Sequence, residues 1–398
     1  MRNTNLPDDR LWKRQTALFL LSQNISLFGS SVAGYAVVWH ITLATSSGFW
    51  LMAATLCSHV PLVLISPWGG VWADRYDRRR LIIAADACIA AATLALAVLL
   101  AGGRESLPLL LLVLAARSAG TGVQSPAVNA AYPQLVPPAR LANVQGINQS
   151  IASVCLLAAP AAGGALLGSL GLAWALMVDV LTAAAAIAVM GFVRLGRQTR
   201  PESGGGMLDE LREGLAYAFG HPRIRRLLLY CAAAFFLFTP AGVLTPLMIE
   251  RSFGGDVWRL TANEAVWTVG SLIGGIYVSC RGGFRDKARA LAVSFAAFGV
   301  LFGMLGVVRD FASYLLFMGL AGFFLPLMIT AQTVLVQELC APEIMGRVFS
   351  LLQLLSASAM PAAILLFGPL ADVVRVESIL CVTGALLVMT GAAYGRKP

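Results

Sequence analysis

Charged residues are scarce in this sequence. They make up 12% of its 398 residues, whereas 58% are hydrophobic, and the mean hydropathy is +0.77. Soluble domains carry about 25% charged residues, so this composition excludes a soluble globular protein and indicates a membrane protein. The net charge of +9 does not indicate a nucleic-acid partner, because the cations fall in short segments between apolar runs, where they orient helices in a membrane.

Metal ligands and catalytic motifs are sparse as well. The chain has three isolated histidines and seven cysteines that form no C-x-x-C pair. This pattern predicts neither a disulfide framework nor a zinc site, and we expect no metal or other cofactor. The motifs G-x-x-x-x-G-K-[ST], H-E-x-x-H and G-x-S-x-G are missing from the sequence, so we expect neither an ATP-driven pump nor an enzyme.

What the sequence does have is about twelve apolar spans, each long enough to cross a bilayer as a helix. They run near 17–42, 48–72, 81–101, 107–131, 141–168, 170–193, 224–249, 260–282, 288–308, 311–337, 345–368 and 376–394. The longest polar interruption, 194–223, contains an amphipathic stretch at 207–219 and predicts a cytoplasmic linker. We therefore expect an all-α protein in the lipid bilayer, with six-helix bundles at 1–193 and 224–398.

The distribution of cations predicts the orientation of these spans. If both termini are cytoplasmic, 23 of the 29 Lys and Arg residues fall in cytoplasmic segments and five in outer loops. Clustered cations resist translocation, so this bias predicts cytoplasmic termini. Arg117 is the one remaining cation, and it lies midway along an apolar span.

The charged turn between the second and third spans is the most informative stretch. From Asp74 to Arg80 it holds six charged residues in seven positions, after the pair Gly69 and Gly70. The arrangement resembles the signature loop of the major facilitator superfamily, G-x-x-x-D-R-x-G-R-[KR]. Asp77 stands at the position of the Gly in that signature, and this form resembles the branch of the macrolide-efflux proteins. An ordinary positive-inside turn is the plain alternative. The resemblance implies a conformational gate formed by Gly70, Asp74, Arg75, Asp77, Arg78 and Arg79.

An internal repeat points to the same family. The run 69–72 recurs as 274–277, and a basic turn follows each copy, although Ser279 falls where Asp74 would be. The resemblance implies a major-facilitator fold of twelve transmembrane helices in two pseudo-symmetric halves, with the substrate site between them near mid-membrane. We expect a monomer.

Arg117 and the buried acids are the candidates for proton coupling. A charge at mid-bilayer costs on the order of 2.5–3.5 kcal/mol, so Arg117 should face a carboxylate or a polar cavity. The run 117–122 with Pro126 resembles the fourth helix of macrolide-efflux-like proteins, and in related antiporters an arginine there is associated with proton coupling. A structural ion pair is the alternative. The candidate carboxylates are Asp179, Asp86 and Glu264; Asp86 has the alternative of pairing with the arginines of the nearby turn.

Two further features bear on transport. Pro160, Gly163 and Gly164 in the fifth span resemble the antiporter signature G-P-x-x-G-G, with Ala159 in place of its first Gly; generic small-residue packing is the alternative. A substrate cavity would take polar residues of the first span and aromatic residues of the second half, although aromatic side chains in membrane helices also face lipid. We expect its lining to include Gln23, Asn24, Phe235, Phe238 and Phe323.

The resemblance implies a secondary active transporter of the bacterial inner membrane that exports an amphipathic or hydrophobic small molecule. Macrolide-like drugs are the first expectation for the substrate, and exchange for protons is the expected energy source. A siderophore exporter and a lipid or lysophospholipid transporter are the alternatives within the same class. A membrane receptor or scaffold is the alternative of a different class.

Overall fold

The computed structural model describes residues 9–195, 217, 219–281, 284, 286–340 and 342–396. Within these ranges the chain is almost entirely helical and contains no strand. The linker expected at 194–223, with its amphipathic stretch at 207–219, lies largely outside the described residues.

Six helices and one short turn make up the first half of the chain. Their bounds are α1 Asp9–Thr45, α2 Gly48–Arg75, α3 Arg78–Ala101, α4 Leu107–Leu135, α5 Leu141–Ser169 and α6 Leu172–Met190, with a 3-10 turn at Pro138–Arg140. The described residues of the second half contain seven helices: α7 Pro222–Val243, α8 Thr245–Phe253, α9 Val257–Arg281, α10 Lys287–Leu305, α11 Phe311–Leu339, α12 Pro342–Val373 and α13 Val376–Gly395.

Eleven stretches of the described chain are long and apolar enough to cross a membrane. α7 and α8 together form one of them, Pro222–Phe253. α9 is not among the eleven, although it has 25 residues, because Arg259, Glu264 and Arg281 lower its hydropathy. With α7 and α8 counted as one span, the described residues contain twelve membrane-length helices, and the predicted all-α fold is confirmed.

The contacts divide the chain into two compact units. The first unit contains α3 to α6 and most of α1 and α2. The second unit contains α7 to α13 together with Thr42–Met52, the turn that joins α1 to α2. Each unit buries its own core of apolar and small residues, as membrane helices do when they pack through side-chain contacts.

Glycine pairs mark equivalent helix crossings in the two units. A side chain at Gly69 of α2 would collide with the backbone of Gly122 in α4, and one at Gly274 of α9 would collide with the backbone of Phe323 in α11. Only Gly fits where two helix backbones approach this closely. At the second glycine of the first pair, Gly70, an added Cβ would meet nothing within 4 Å. Among the described residues, close approach of two helices therefore requires a glycine at Gly69 and not at Gly70.

The seventh span is interrupted in a way that the apolar pattern did not show. The sequence predicts one helix over 224–249, whereas α7 ends at Val243 and α8 begins at Thr245. Pro246 is in the first turn of α8, where a missing backbone N–H costs nothing because the first-turn donors have no partner within the helix. This Pro was the local signal for the break.

Candidate functional site

A buried ion pair joins α4 to α6 in the first unit. Arg117 Nη1 contacts Asp179 Oδ2, and the two residues are only 8% and 1% exposed. Each charge supplies the counter-ion that the other needs in a medium of low dielectric. The contact gives Arg117 the buried carboxylate partner that its position in an apolar span requires.

Hydroxyl groups from α1 and α3 complete the coordination of Asp179. Ser30 Oγ donates to Asp179 Oδ1 at 2.9 Å, and Thr93 Oγ1 lies 3.0 Å from Asp179 Oδ2. Arg117 Nη2 also donates to the carbonyl oxygen of Ser30 at 3.1 Å. Four helices therefore meet at one charged centre, which we call the Arg117 layer: Ser30, Thr93, Arg117 and Asp179.

A second polar layer lies farther along the same helices. Asp86 Oδ1 accepts hydrogen bonds from Ser26 Oγ of α1 and Gln124 Nε2 of α4, both at 2.8 Å. Asp86 and Gln124 are each about two helical turns, or ~10 Å, from the members of the Arg117 layer on their own helices. We call Ser26, Asp86 and Gln124 the Asp86 layer, and the two layers together the polar column.

The buried carboxylate of Asp86 has fewer polar and charged partners than that of Asp179. It is 2% exposed, and its Oδ2 is buried without a hydrogen-bond partner among the described residues. Its partners are a hydroxyl and an amide rather than the arginines of the 74–80 turn, which was the alternative that the sequence left open. An ionised carboxylate in this position has no counter-ion in direct contact, and burial without one is costly.

Glu264, the remaining candidate for proton coupling, lies in the second unit. It is half-buried on α9 and lines a cavity of about 150 Å³. Asn263 Nδ2 donates to Glu264 Oε1 at 3.3 Å. The four residues expected to couple protons are thus divided between the polar column and a separate cavity.

The charged turn between α2 and α3 is tied to the first unit mainly by Arg78. Arg78 donates to the carbonyl oxygens of Ala73 at 3.0 Å and Ala130 at 2.7 Å, and its Nη2 lies 3.4 Å from Asp74 Oδ1. The carboxylate of Asp74 is exposed. The turn is therefore fixed to the end of α4, and Asp74 makes one long contact with an arginine of its own turn.

The other residues of this turn have separate roles. Asp77 Oδ1 accepts from the backbone N–H of Arg80 at 3.1 Å and so caps the N-terminus of α3. Arg79 donates to the carbonyl oxygen of Gly191, just beyond α6. Arg75 is exposed. An acid at the start of a helix satisfies free backbone donors, which explains Asp where a Gly is usual in the signature.

The second unit repeats this arrangement at the start of α10. Asp286 Oδ1 accepts from the backbone N–H of Arg289 at 2.9 Å, as Asp77 does at α3. Lys287 Nζ forms an ion pair with Glu338 Oε1 at the end of α11, at 2.8 Å. Although Ser279 stands in place of Asp74 in the second unit, the capping acid is retained at Asp286, which was not predicted from the sequence.

The antiporter-like motif of α5 lies against α1. A side chain on Gly163 would come within 3.0 Å of the carbonyl oxygen of Val32 in α1. Pro160 and Gly164 are buried beside it. The small residue at 163 is therefore required by a helix crossing, while its proposed part in transport rests on the resemblance.

The residues expected to line a substrate cavity come from both units. Asn24 Nδ2 donates to Asn148 Oδ1 of α5 at 3.0 Å, and the neighbouring Gln23 has a buried Nε2 without a partner among the described residues. In the second unit, Phe238 lines the cavity beside Glu264. Phe323 packs on Tyr277 and Phe324 instead, and Phe235, which is half-buried, is not part of the cavity wall.

A cluster around Asp372 holds the turn between α1 and α2 within the second unit. Asp372 accepts from the backbone N–H of Gly48 at 2.6 Å and of Phe49 at 2.9 Å, and from Ser47 Oγ at 2.9 Å. Arg251 of α8 pairs with Asp372 at 3.0 Å. Asp372 therefore caps the N-terminus of α2 although it belongs to α12. No local sequence pattern indicates this cap, because the partners are more than three hundred residues apart.

Comparison with known proteins identifies a family whose model matches this chain. Residues 19–364 match the model of the Major Facilitator Superfamily. Macrolide efflux protein A of Streptococcus pyogenes is 29% identical over 382 residues, which are 95% of this chain and 94% of that protein. Macrolide efflux protein A of Enterococcus faecalis is 29% identical over 315 residues, which are 78% of this chain and 98% of that protein.

A solved structure supports the fold. The crystal structure of a bacterial homologue of the iron transporter ferroportin, in an inward-facing state, is similar to this chain with a TM-score of 0.74. The match covers 96% of this chain and 99% of that one at 19% sequence identity. At this sequence identity the structural similarity supports the fold alone.

Proposed function

This chain belongs to the major facilitator superfamily, and we propose that it is an efflux transporter that exchanges amphipathic small molecules for protons. Macrolide-like compounds are the first expectation for the substrate, because two of the relatives that match most of its length are macrolide efflux proteins. The observation that carries the proton part is the Arg117 layer, in which a buried carboxylate has a buried arginine as its counter-ion.

The chemistry of the polar column fits a proton-dependent step. Uptake of a proton by Asp179 would remove one charge of the pair and leave Arg117 buried without a counter-ion, which is strongly unfavourable. The layer would then rearrange until Arg117 finds another acceptor or Asp179 loses the proton again. Such a step links the occupancy of a proton site to the packing of α1, α3, α4 and α6, the helices that supply the layer.

Asp86 is the second proton acceptor in this proposal. Its buried Oδ2 has no hydrogen-bond partner among the described residues, and a proton there would remove an uncompensated charge. The two layers lie along α3 at Asp86 and Thr93, so a proton would pass between them over roughly two helical turns. On α1, Ser26 donates to Asp86 and Ser30 donates to Asp179, so each layer has a hydroxyl group from the same helix.

The proposed setting is the inner membrane of a bacterium, with both chain termini in the cytoplasm. The cation distribution supports this orientation. It places the Asp74–Arg80 turn at the cytoplasmic surface, where we expect it to act as a conformational gate. We expect the chain to work as a monomer.

The test uses the full chain in proteoliposomes that contain a trapped pH-sensitive dye. With substrate on one side and no pH gradient, antiport predicts that a macrolide flowing down its gradient drives protons in the opposite direction. An imposed pH gradient should in turn concentrate the macrolide. Liposomes that hold Arg117→Met are the matched control, since this variant keeps an unbranched, flexible apolar stem and removes the charge.

The outcomes separate the parts of the proposal. Macrolide flux without proton movement would contradict antiport and leave export in place. If the liposomes transport a siderophore or a lysophospholipid but no macrolide, the substrate belongs to that class instead of the macrolides. No flux of any of the three would contradict the proposed function.

A further inference from the structure

The cavity beside Glu264 lies wholly within the second unit. It has a volume of about 150 Å³ and takes its walls from five helices, α7 to α11. Its lining consists of Phe238, Ala241, Gly242, Thr245, Glu264, Trp267, Phe302 and Met318. Phe302 and Met318 are buried whereas Gly242 is exposed, so the cavity is closed at one end and opens on the Gly242 side.

Three of the eight lining residues are aromatic: Phe238, Trp267 and Phe302. The ring of Phe238 lies 5.1 Å from that of Phe302 and 6.0 Å from that of Trp267, both in edge-to-face geometry. Phe298 packs behind them, 5.2 Å from Phe238. Aromatic faces carry negative electrostatic potential and attract cations placed over them, and cages of such rings recognise quaternary ammonium groups.

One carboxylate shares this aromatic enclosure, and no cation accompanies it. Among the described residues no Lys, Arg or His lies within ion-pair distance of Glu264. The arginine closest in sequence, Arg259, pairs with Asp256 at 3.5 Å and lies over the rings of Trp258 and Phe311. Among the described residues, the side-chain carboxylate of Glu264 accepts a hydrogen bond from Asn263 Nδ2 at 3.3 Å. The carboxylate of Glu264 therefore lines the cavity without a counter-ion among the described residues.

We propose that this cavity binds the ammonium head of a cationic substrate, with Glu264 as its counter-ion and Trp267 and Phe302 as its aromatic walls. The inference rests on the proposed export function for the remainder of the substrate. A cavity of about 150 Å³ accommodates a group the size of benzene, so a dimethylammonium or trimethylammonium group fits and a large ring does not. The apolar body of the molecule would remain outside, on the open Gly242 side.

This assignment gives Glu264 a task different from that of the polar column. Glu264 would select cationic substrates, while Asp179 and Asp86 would carry protons. The two roles predict opposite behaviour towards a neutral substrate. If Glu264 binds the ammonium group, its loss leaves proton-driven export of a neutral analogue intact. If Glu264 carries the coupling proton, its loss abolishes uphill export of both compounds.

The first experiment measures binding without transport. Tetramethylammonium is titrated into the full detergent-solubilised chain by calorimetry. Glu264→Gln and Trp267→Leu should each weaken binding about tenfold or more, and Trp267→Phe should bind within about threefold of wild type, because an aromatic face is retained. Glu338→Gln is the matched control, since it makes the same chemical change at an exposed acid that pairs with Lys287. Wild type that fails to bind tetramethylammonium, or Glu264→Gln that binds it as wild type does, would overturn the assignment.

The second experiment measures export of a tertiary-amine compound and its neutral analogue from proteoliposomes with a pH gradient. Glu264→Gln should export the amine at least about tenfold more slowly and the neutral analogue at the wild-type rate. Equal loss of both would assign Glu264 to coupling or folding and overturn the inference while export stands. Binding of tetramethylammonium that depends on Glu264, without export of either compound by wild type, would support the cavity and contradict the proposed function.

Discussion

The Arg117–Asp179 pair makes the sharpest prediction about the energetics of the first unit. Asp179→Asn keeps the size of the side chain and its capacity to accept from Ser30, and removes only the charge. Arg117 is then buried without a counter-ion, a change that costs about 3–5 kcal/mol when one partner of a buried pair is lost. Arg117→Met should cost a similar amount, because it leaves the carboxylate with hydroxyl partners alone.

The double variant decides whether these costs have one origin. With both charges gone, no uncompensated ion remains, and replacing a buried pair by groups of similar volume is often neutral. Arg117→Met with Asp179→Asn should therefore be no less stable than either single variant. The coupling energy of the double-mutant cycle should be ~3 kcal/mol, near the upper end for residues in contact.

The assay is the free energy of unfolding in mixed micelles, measured by titration with SDS and followed by tryptophan fluorescence. Asp310→Asn is the matched control, because Asp310 caps α11 by accepting from Ser313 N at 2.8 Å and Asn is an equally good N-cap. Additive costs in the double variant would show that the two charges act independently, and the account of the Arg117 layer would fail.

Three further predictions concern packing and the turns. Asp372→Ala should lower the free energy of unfolding by about 2 kcal/mol in the same titration, because the cap of α2 is lost; an unchanged value would contradict the cap. Gly69→Ala should reduce the yield of folded protein, whereas its neighbour Gly70→Ala should be neutral or gain up to ~1 kcal/mol from helix propensity; equal effects on size-exclusion profiles would refute the crossing at Gly69. Asp74→Asn should slow transport in liposomes at an unchanged melting temperature, and wild-type flux would remove this residue from the gate.

The sequence predicted the helices well because membrane spans depend on length and hydropathy, which are local properties. It predicted that Arg117 needs a buried partner for the same reason, since the cost of a charge in an apolar span is visible without a structure. It named Asp179 as one of three candidate carboxylates. Which acid Arg117 meets depends on how α4 packs against α6, and no local signal specifies that contact.

Other parts of the site could not be predicted from the sequence, for a related reason. Ser26, Ser30 and Thr93 are hydroxyl residues among many in apolar helices, and only their proximity to a carboxylate distinguishes them. The aromatic cavity combines residues from five helices, so the sequence identified Phe238 and Glu264 without connecting them. The acid at Asp286 carried a usable signal, because an acid that comes three residues before the first apolar run of a helix is typical of an N-cap.

The central claim is that the Arg117 layer couples export to protons, and one measurement tests it most directly. Wild type, Asp179→Asn and the control Asp310→Asn are reconstituted, and accumulation of a macrolide is followed with and without an imposed pH gradient. The account predicts that Asp179→Asn loses uphill accumulation and retains exchange of labelled for unlabelled substrate, while Asp310→Asn behaves as wild type. If Asp179→Asn still concentrates the macrolide as wild type does, the proton site is elsewhere and the central claim is wrong.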